Sequence, residues 1–185
     1  PCPALWRRCA CVEGAAAALC LHSCVPAQDA LKFLKPLAIG MKVVSLRLAE
    51  TGFDEALMLD PEGFLTEGTG ENLFVIRDGK VKTTSLTSIL NGITRQTVIE
   101  YFIKKGIPIA ESRFTRDELY CADEIFLTGT AAEITPVKEV DRRPIGRGNH
   151  IGRPGPITAQ LQKDYAALVR GELGEFPKTW VTAIK

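Results

Sequence analysis

Past about residue 42, apolar and polar positions fall into short periodic stretches separated by glycine and proline, and each stretch predicts an element. Lys42 to Thr51 carries apolar Val43, Leu46 and Leu48 and stops at Gly52, which predicts a helix. Glu55 to Leu59 is a short, mostly apolar run that suits a buried strand. Asp60-Pro61-Glu62-Gly63 has turn chemistry, and a second strand starts over Phe64 to Thr66. Asn72 to Ile76 and Val81 to Thr83 flank Arg77-Asp78-Gly79-Lys80, a hairpin signal. Thr94 to Lys105 repeats apolar residues at helical spacing through Val98, Ile99, Phe102 and Ile103. Gly106 closes that helix, and Ile107-Pro108-Ile109 reads as an edge-like strand.

Further along, Thr115-Arg116-Asp117-Glu118 fits a capping box and predicts a short helix to about Cys121. Strands are expected over Glu124 to Leu127 and Ile134 to Val140. Gly155-Pro156 opens a last helix with an apolar stripe of Ile157, Leu161, Tyr165 and Leu168, ended by Gly171. No internal repeat is present. Hairpins mixed with helices indicate an α/β chain of the mixed α+β kind rather than a simple Rossmann alternation.

Residues 1–30 differ. They are rich in Ala, Cys and Pro and show neither strand nor helix periodicity. The chain therefore divides into an atypical stretch, 1–30, expected to be poorly ordered or non-native, and a folded domain, 31–185. A reading-frame error or a gene fragment would produce such a break.

Composition narrows the partners. The net charge is +1 with acidic and basic residues interleaved, which gives no reason to expect nucleic acid or an anionic membrane. No apolar run approaches the roughly 20 residues needed to cross a bilayer. Five of the six cysteines, Cys2, Cys9, Cys11, Cys20 and Cys24, precede Val25, yet their spacing matches neither a metal site nor a disulfide framework, and His22 is isolated. No metal is expected. A signal peptide fits poorly because Glu13 interrupts the apolar stretch, so the location expected is cytoplasmic with reduced thiols.

Three segments are unlike ordinary packing sequence. Thr66-Glu67-Gly68-Thr69-Gly70-Glu71-Asn72 sets two glycines and two carboxylates between apolar strands. The glycines would let backbone approach a ligand, and a carboxylate could face a cationic ring nitrogen; the bland alternative is a solvated surface loop. Leu90-Asn91-Gly92-Ile93-Thr94-Arg95 leads into a helix whose unpaired first N–H groups suit a phosphate; the alternative is an N-cap threonine and nothing more. Thr128-Gly129-Thr130-Ala131-Ala132-Glu133 ends a strand in a small-residue turn that could hold a carboxylate or phosphate, or could be only a tight turn.

Together, GFLTEGTGENLF at 63–74, NGITRQTVIE at 91–100 and LYCADEIFLTGTAAEITPV at 119–137 resemble the class IV (fold type IV) aminotransferases, and most closely the bacterial branched-chain type. Asp141 to Gly146, the GPIT of Gly155 to Thr158 and Trp180 extend the likeness over about residues 42–183. The resemblance implies the large, cofactor-binding domain of that family, a sheet or pseudo-barrel with flanking helices. The family's N-terminal small domain, which supplies an arginine and part of the substrate pocket, is expected to be absent.

It implies pyridoxal 5′-phosphate as cofactor and an amino acid and a 2-oxo acid as small-molecule substrates, typically Leu, Ile or Val with 2-oxoglutarate, in a homodimer or larger assembly. By the same likeness Glu67 contacts the pyridine nitrogen and Gly70 and Asn72 shape the adjoining wall. Gly92, Ile93 and Thr94 cradle the phosphate, and Thr130 and Ala131 sit near the phosphate and the substrate carboxylate. A lysine binds the cofactor covalently and moves the proton in a ping-pong transamination.

The sequence departs from the family at that lysine. The matching position is Phe33, flanked by Lys32 and Lys35, and Pro36-Leu37-Ala38-Ile39-Gly40 replaces the expected Gly-Asn-Tyr triplet. Lys35, then Lys32, is the candidate. Asn149-His150-Ile151-Gly152 resembles a short insertion, with His150 a surface loop residue. D-amino acid aminotransferase and aminodeoxychorismate lyase share the fold and are rival activities. A truncated or frame-shifted remnant without catalysis is the alternative of a different class.

Overall fold

The computed structural model describes residues 53–174, together with the backbone of Ala17–Cys20. The predicted helix at Lys42 to Thr51, both candidate lysines and Trp180 lie outside these residues. Nine strands are described: β1 (Ala17–Cys20), β2 (Glu55–Leu59), β3 (Leu65–Gly68), β4 (Asn72–Arg77), β5 (Lys80–Thr83), β6 (Ile109–Glu111), β7 (Glu124–Gly129), β8 (Glu133–Val140) and β9 (Arg143–Pro144). The helices are α1 (Ile93–Lys104), α2 (Arg116–Tyr120) and α3 (Pro156–Val169), and a 3-10 turn spans Gly148–His150.

The strands form one mixed sheet in the order β3-β2-β1-β8-β7-β4-β5-β6, with β9 added beside β8. β1 runs parallel to both β2 and β8, and β5 runs parallel to β6; the other pairs are antiparallel. The sheet curls until its two ends meet, where the Leu65 N–H donates to the carbonyl of Phe114 just past β6, at 3.0 Å. Curling explains the unbroken apolar run Leu73 to Ile76 in β4: Asn72 to Ile76 are all buried, so both faces of the strand are covered.

Successive side chains point to opposite faces. On one face Leu73, Val75, Ile125 and Leu127 pack with Leu57, Leu65, Phe114 and Leu119 in the interior of the curl. On the other, Phe74, Ile76 and Phe126 pack under Val98, Tyr101 and Phe102 of α1 and Leu161 and Leu168 of α3. Phe74 and Phe126 stack with centroids 4.8 Å apart and planes 7° apart. Burying such side chains contributes about 1.5–3 kcal/mol each, which holds the two helices against the sheet.

Local chemistry sets the turns. Asp78 and Gly79, both with positive φ (49° and 70°), close the β4–β5 hairpin as a two-residue type I′ loop. Gly106 (φ 67°) ends α1 with the Ile107 N–H on the Phe102 carbonyl and its own N–H on Ile103. Gly171 (φ 73°) ends α3 with the same paired bonds, to Ala167 and Leu168.

Three expectations need correction. No element was predicted within residues 1–30, yet Ala17–Cys20 forms β1, wedged between β2 and β8. Its partners lie far away in sequence, so local periodicity carries no sign of it. Thr115 does begin α2, but its side chain makes no capping bond. Glu118 turns instead to Lys82 of β5, whose Nζ donates to Oε2 at 2.6 Å, so the capping box is not formed. The helix of the first phosphate-like segment starts at Ile93 with Gly92 as N-cap, not at Thr94.

Candidate active site

The three singled-out segments converge because β3 and β7 end, and β4 begins, beside the start of α1. Thr66-Glu67-Gly68 closes β3, Asn72 opens β4, and Asn72 and Thr128 are register partners. A cavity of about 230 Å³ lies there, lined by Glu67, Gly70, Glu71, Asn72, Leu90, Gly92, Ile93, Thr94, Thr128, Gly129, Thr130, Ala131 and Ala132. It brings together Glu67, Gly70, Asn72, Gly92, Ile93, Thr94, Thr130 and Ala131, the described residues that the sequence singled out. It also holds Leu90, Glu71, Thr128, Gly129 and Ala132, which lie in the three singled-out segments but were given no individual role there.

Glu67 and Glu71 are 8% and 9% exposed, so the first segment is not a solvated surface loop. The Glu67 carboxylate is held in place: Oε2 accepts from Asn72 Nδ2 at 3.0 Å and from the Leu90 N–H at 3.0 Å. Asn72 Nδ2 also donates to the Leu90 carbonyl at 2.8 Å. One amide thus ties the carboxylate on β3 to the loop that enters α1. A buried carboxylate on the wall of a cavity suits a cationic group of a ligand.

The start of α1 has the opposite character. Gly92 carries no capping side chain, no acidic residue occupies the first turn, and Gly92 itself accepts from the Gln96 N–H at 3.0 Å. The N–H groups of the first turn point toward the N-terminal end of the helix with its positive dipole potential, which suits an anion. Glycine is required here because a Cβ on residue 92 would run into Asn72 Oδ1. Thr94 is buried beside these groups and Ile93 is 80% exposed.

The third wall is the turn from β7 to β8. Gly129 pairs with Glu133, and Thr130-Ala131-Ala132 form the loop between them. A Cβ on Gly129 would lie 3.3 Å from the Gly70 carbonyl, so the two glycine-bearing loops touch. Glu133 adopts φ 49° to close the loop. Thr128, fully buried, has a hydroxyl oxygen with no hydrogen-bond partner among the described residues.

The donor set therefore fits a phosphorylated, cationic-ring compound: backbone N–H groups and hydroxyls for the phosphate, a buried carboxylate for the ring. Among the described residues no cluster of His, Cys, Asp or Glu is arranged to hold a metal ion, and no helix is long and apolar enough to cross a membrane. His150 lies exposed in the 3-10 turn, away from this cavity.

The family model for Amino-transferase class IV matches residues 13–140. The branched-chain-amino-acid aminotransferase of Pseudomonas aeruginosa is 52% identical over 134 residues, covering 72% of this chain and 42% of that protein. A probable branched-chain-amino-acid aminotransferase of Aquifex aeolicus is 48% identical over 136 residues, with the same coverages of 72% and 42%. The chain thus spans less than half the length of these curated relatives. Among solved structures, the branched-chain amino acid aminotransferase of Thermobaculum terrenum in PLP-form aligns with a TM-score of 0.72 at 37% identity, over 86% of this chain and 53% of that one. The enzyme from Escherichia coli gives 0.68 at 34% identity, over 89% and 55%. With most of its length matched by the family model and its fold shared with these structures, the chain belongs to the class IV aminotransferases.

Proposed function

We propose that this chain is the cofactor-holding part of a pyridoxal-phosphate-dependent aminotransferase that transfers the amino group of leucine, isoleucine or valine to 2-oxoglutarate. One observation carries the reading: a buried, doubly hydrogen-bonded carboxylate and an uncapped helix start share one cavity, although Glu67 and Gly92 belong to different elements. The relatives above carry branched-chain names, which supports the substrate class.

When bound, pyridoxal phosphate supplies an electron sink for cleavage of a bond at the amino acid α-carbon. Glu67 holds a proton at the ring nitrogen, because its negative charge raises the proton affinity of that atom. The Ile93 and Thr94 N–H groups and the Thr94 hydroxyl bind the phosphate, and Thr130 adds a further donor. Gly70 and Asn72 shape the wall beside the ring. Thr130 and Ala131 orient the substrate carboxylate through the β7–β8 turn. Lys35, or else Lys32, would hold the cofactor and move the proton at the substrate α-carbon, acting as both nucleophile and general base. A cytoplasmic homodimer or larger assembly belongs to the same reading.

The test is to incubate the full chain with pyridoxal phosphate, reduce it with borohydride, and map modified lysines by peptide mass spectrometry. A pyridoxyl group on Lys35 or Lys32, followed by leucine–2-oxoglutarate transamination, is the expected result. The second reading is a cofactor-binding module without catalysis, favoured by Phe33 at the family's lysine position and by the missing Gly-Asn-Tyr triplet. Cofactor bound tightly with no lysine modified selects it.

A further inference from the structure

Asn72 opens β4 on the wall of the cavity and is 4% exposed. An asparagine nitrogen carries two donors, and both are committed to the protein. Nδ2 gives one to Glu67 Oε2 at 3.0 Å and one to the Leu90 carbonyl at 2.8 Å. The amide cannot be turned over, because its oxygen would then face two acceptors. Its Oδ1 instead stands against Gly92, the N-cap of α1, where a Cβ would collide with it. The Leu90 N–H donates to the same Glu67 oxygen at 3.0 Å. Asn72, Glu67 and Leu90 thus form a closed set of three hydrogen bonds that spans β3, β4 and the loop before α1.

A side chain in this state has no N–H left for a ligand, and it acts on one through the group it holds. Without Asn72, Glu67 Oε2 would keep a single donor, carried by a loop whose own carbonyl had lost its partner. From this geometry we infer that Asn72 is a positioning residue: it gives no bond to the cofactor, but it fixes the Glu67 carboxylate and so the contact to a cationic ring nitrogen. The inference rests on the proposed reading of this cavity as a pyridoxal phosphate site. It deepens that reading by separating Glu67, which touches the ring, from Asn72, which holds Glu67.

The full chain and three variants, Asn72→Leu, Glu67→Gln and the double variant, are titrated with three probes. These are pyridoxal phosphate, its carbocyclic analogue with a C–H in place of the ring nitrogen, and inorganic phosphate. Asn72→Leu keeps a branched side chain on the wall but has no donor. Circular dichroism checks that each protein is folded at the temperature of the titration, and Asn72→Ala replaces Asn72→Leu if the latter is not. A misplaced bond to a charged group corresponds to a loss of about 10-fold or more, expected in Asn72→Leu for pyridoxal phosphate. The nitrogen-free analogue and phosphate, which do not make that bond, should stay within about 3-fold of the parent. The double variant should bind pyridoxal phosphate within about 3-fold of Glu67→Gln alone, since both changes remove one contact.

That pattern supports the inference; a merely structural role would weaken all three probes together. A loss shared by the nitrogen-free analogue or by phosphate, or a double variant that loses the product of the two single effects, overturns it and leaves Asn72 as wall alone. Unchanged binding of every probe by a folded Asn72→Leu overturns it too. In each of these cases pyridoxal phosphate binding by the parent leaves the cofactor reading standing. A folded parent chain that binds neither pyridoxal phosphate nor its analogue overturns both.

Discussion

Glu124 opens β7, yet its carboxylate does its work on α3. Oε1 accepts from the Ile157 N–H at 3.1 Å and Oε2 from the Thr158 N–H at 2.7 Å. The helix has Pro156 at its first position and Gly155 as N-cap with no capping side chain, so this carboxylate stands in for the cap. Glu124→Gln keeps the shape but leaves one acceptor oxygen and turns an NH2 group toward the other N–H. One bond to a charged acceptor, about 1.5–3 kcal/mol, goes with it, and the favourable charge at the helix start, about 0.3–1 kcal/mol, goes as well. The sum is about 2.5 kcal/mol, which for a chain of this size lowers Tm by about 5–10 °C.

Gly155 tests the same contact from the other side, because a Cβ there would overlap the Glu124 carboxyl carbon and Cγ. Gly155→Ala should cost a similar amount. The double variant should fall short of the sum, since both changes remove one contact. The assay is urea and thermal unfolding followed by circular dichroism on the four proteins. A loss below about 0.5 kcal/mol for Glu124→Gln, the range of ordinary surface substitutions, or full additivity, refutes the reasoning.

Asn72→Ala removes the donor to the Glu67 carboxylate and to the Leu90 carbonyl; at about 1.5–3 kcal/mol for the bond to the charged group and about 0.5–1.5 kcal/mol for the other, a loss of about 2–4.5 kcal/mol in urea unfolding is expected, with weaker pyridoxal phosphate binding. Burial, the bond to Asp141 and the Asp141 charge push Tyr120 up to about 12, against Arg116 and Arg143. Because the folded protein holds this proton more tightly, the stabilisation is complete below the unfolded value of about 10 and is lost as pH rises toward the folded value. Tyr120→Phe should flatten that alkaline arm of the stability profile. Burial alone would raise Asp60, but the bond from Arg113, the Phe64 N–H, the Arg113 charge and the Glu62 N–H together hold it below its ordinary value of 3.8. Its contribution is therefore present above that value and is lost as pH falls through the depressed one, so Asp60→Asn should show a shallower acid transition than the parent.

What the sequence revealed was local. Asp78-Gly79, Gly106 and Gly171 act within a few residues of themselves, and the apolar stripe of α3 repeats every turn, so hairpin, helix stops and helix face were all readable. What it concealed depends on distant partners. β1 exists through pairing with β2 and β8. The β8–β9 hairpin turns through Asp141 and Arg142 at φ 51° and 62° without a glycine, with Asp141 accepting from the Tyr120 hydroxyl at 2.6 Å. Thr128 and Glu71 belong to the singled-out segments, yet only the cavity shows that they lie beside Thr130 and Glu67. The three segments stood out because glycines, carboxylates and threonines interrupt apolar runs there, whereas the eight individual residues were singled out by the family resemblance, and the cavity brings them together.

The central claim, that this cavity holds pyridoxal phosphate, is met most directly by a crystal structure of the full chain grown with that compound. The account predicts the phosphate against the N–H groups of Ile93 and Thr94 and the Thr130 hydroxyl, with the ring nitrogen within hydrogen-bonding distance of Glu67. Density for the compound elsewhere on the surface, with the cavity between β3, β4, β7 and α1 left empty at saturating concentration, would contradict it.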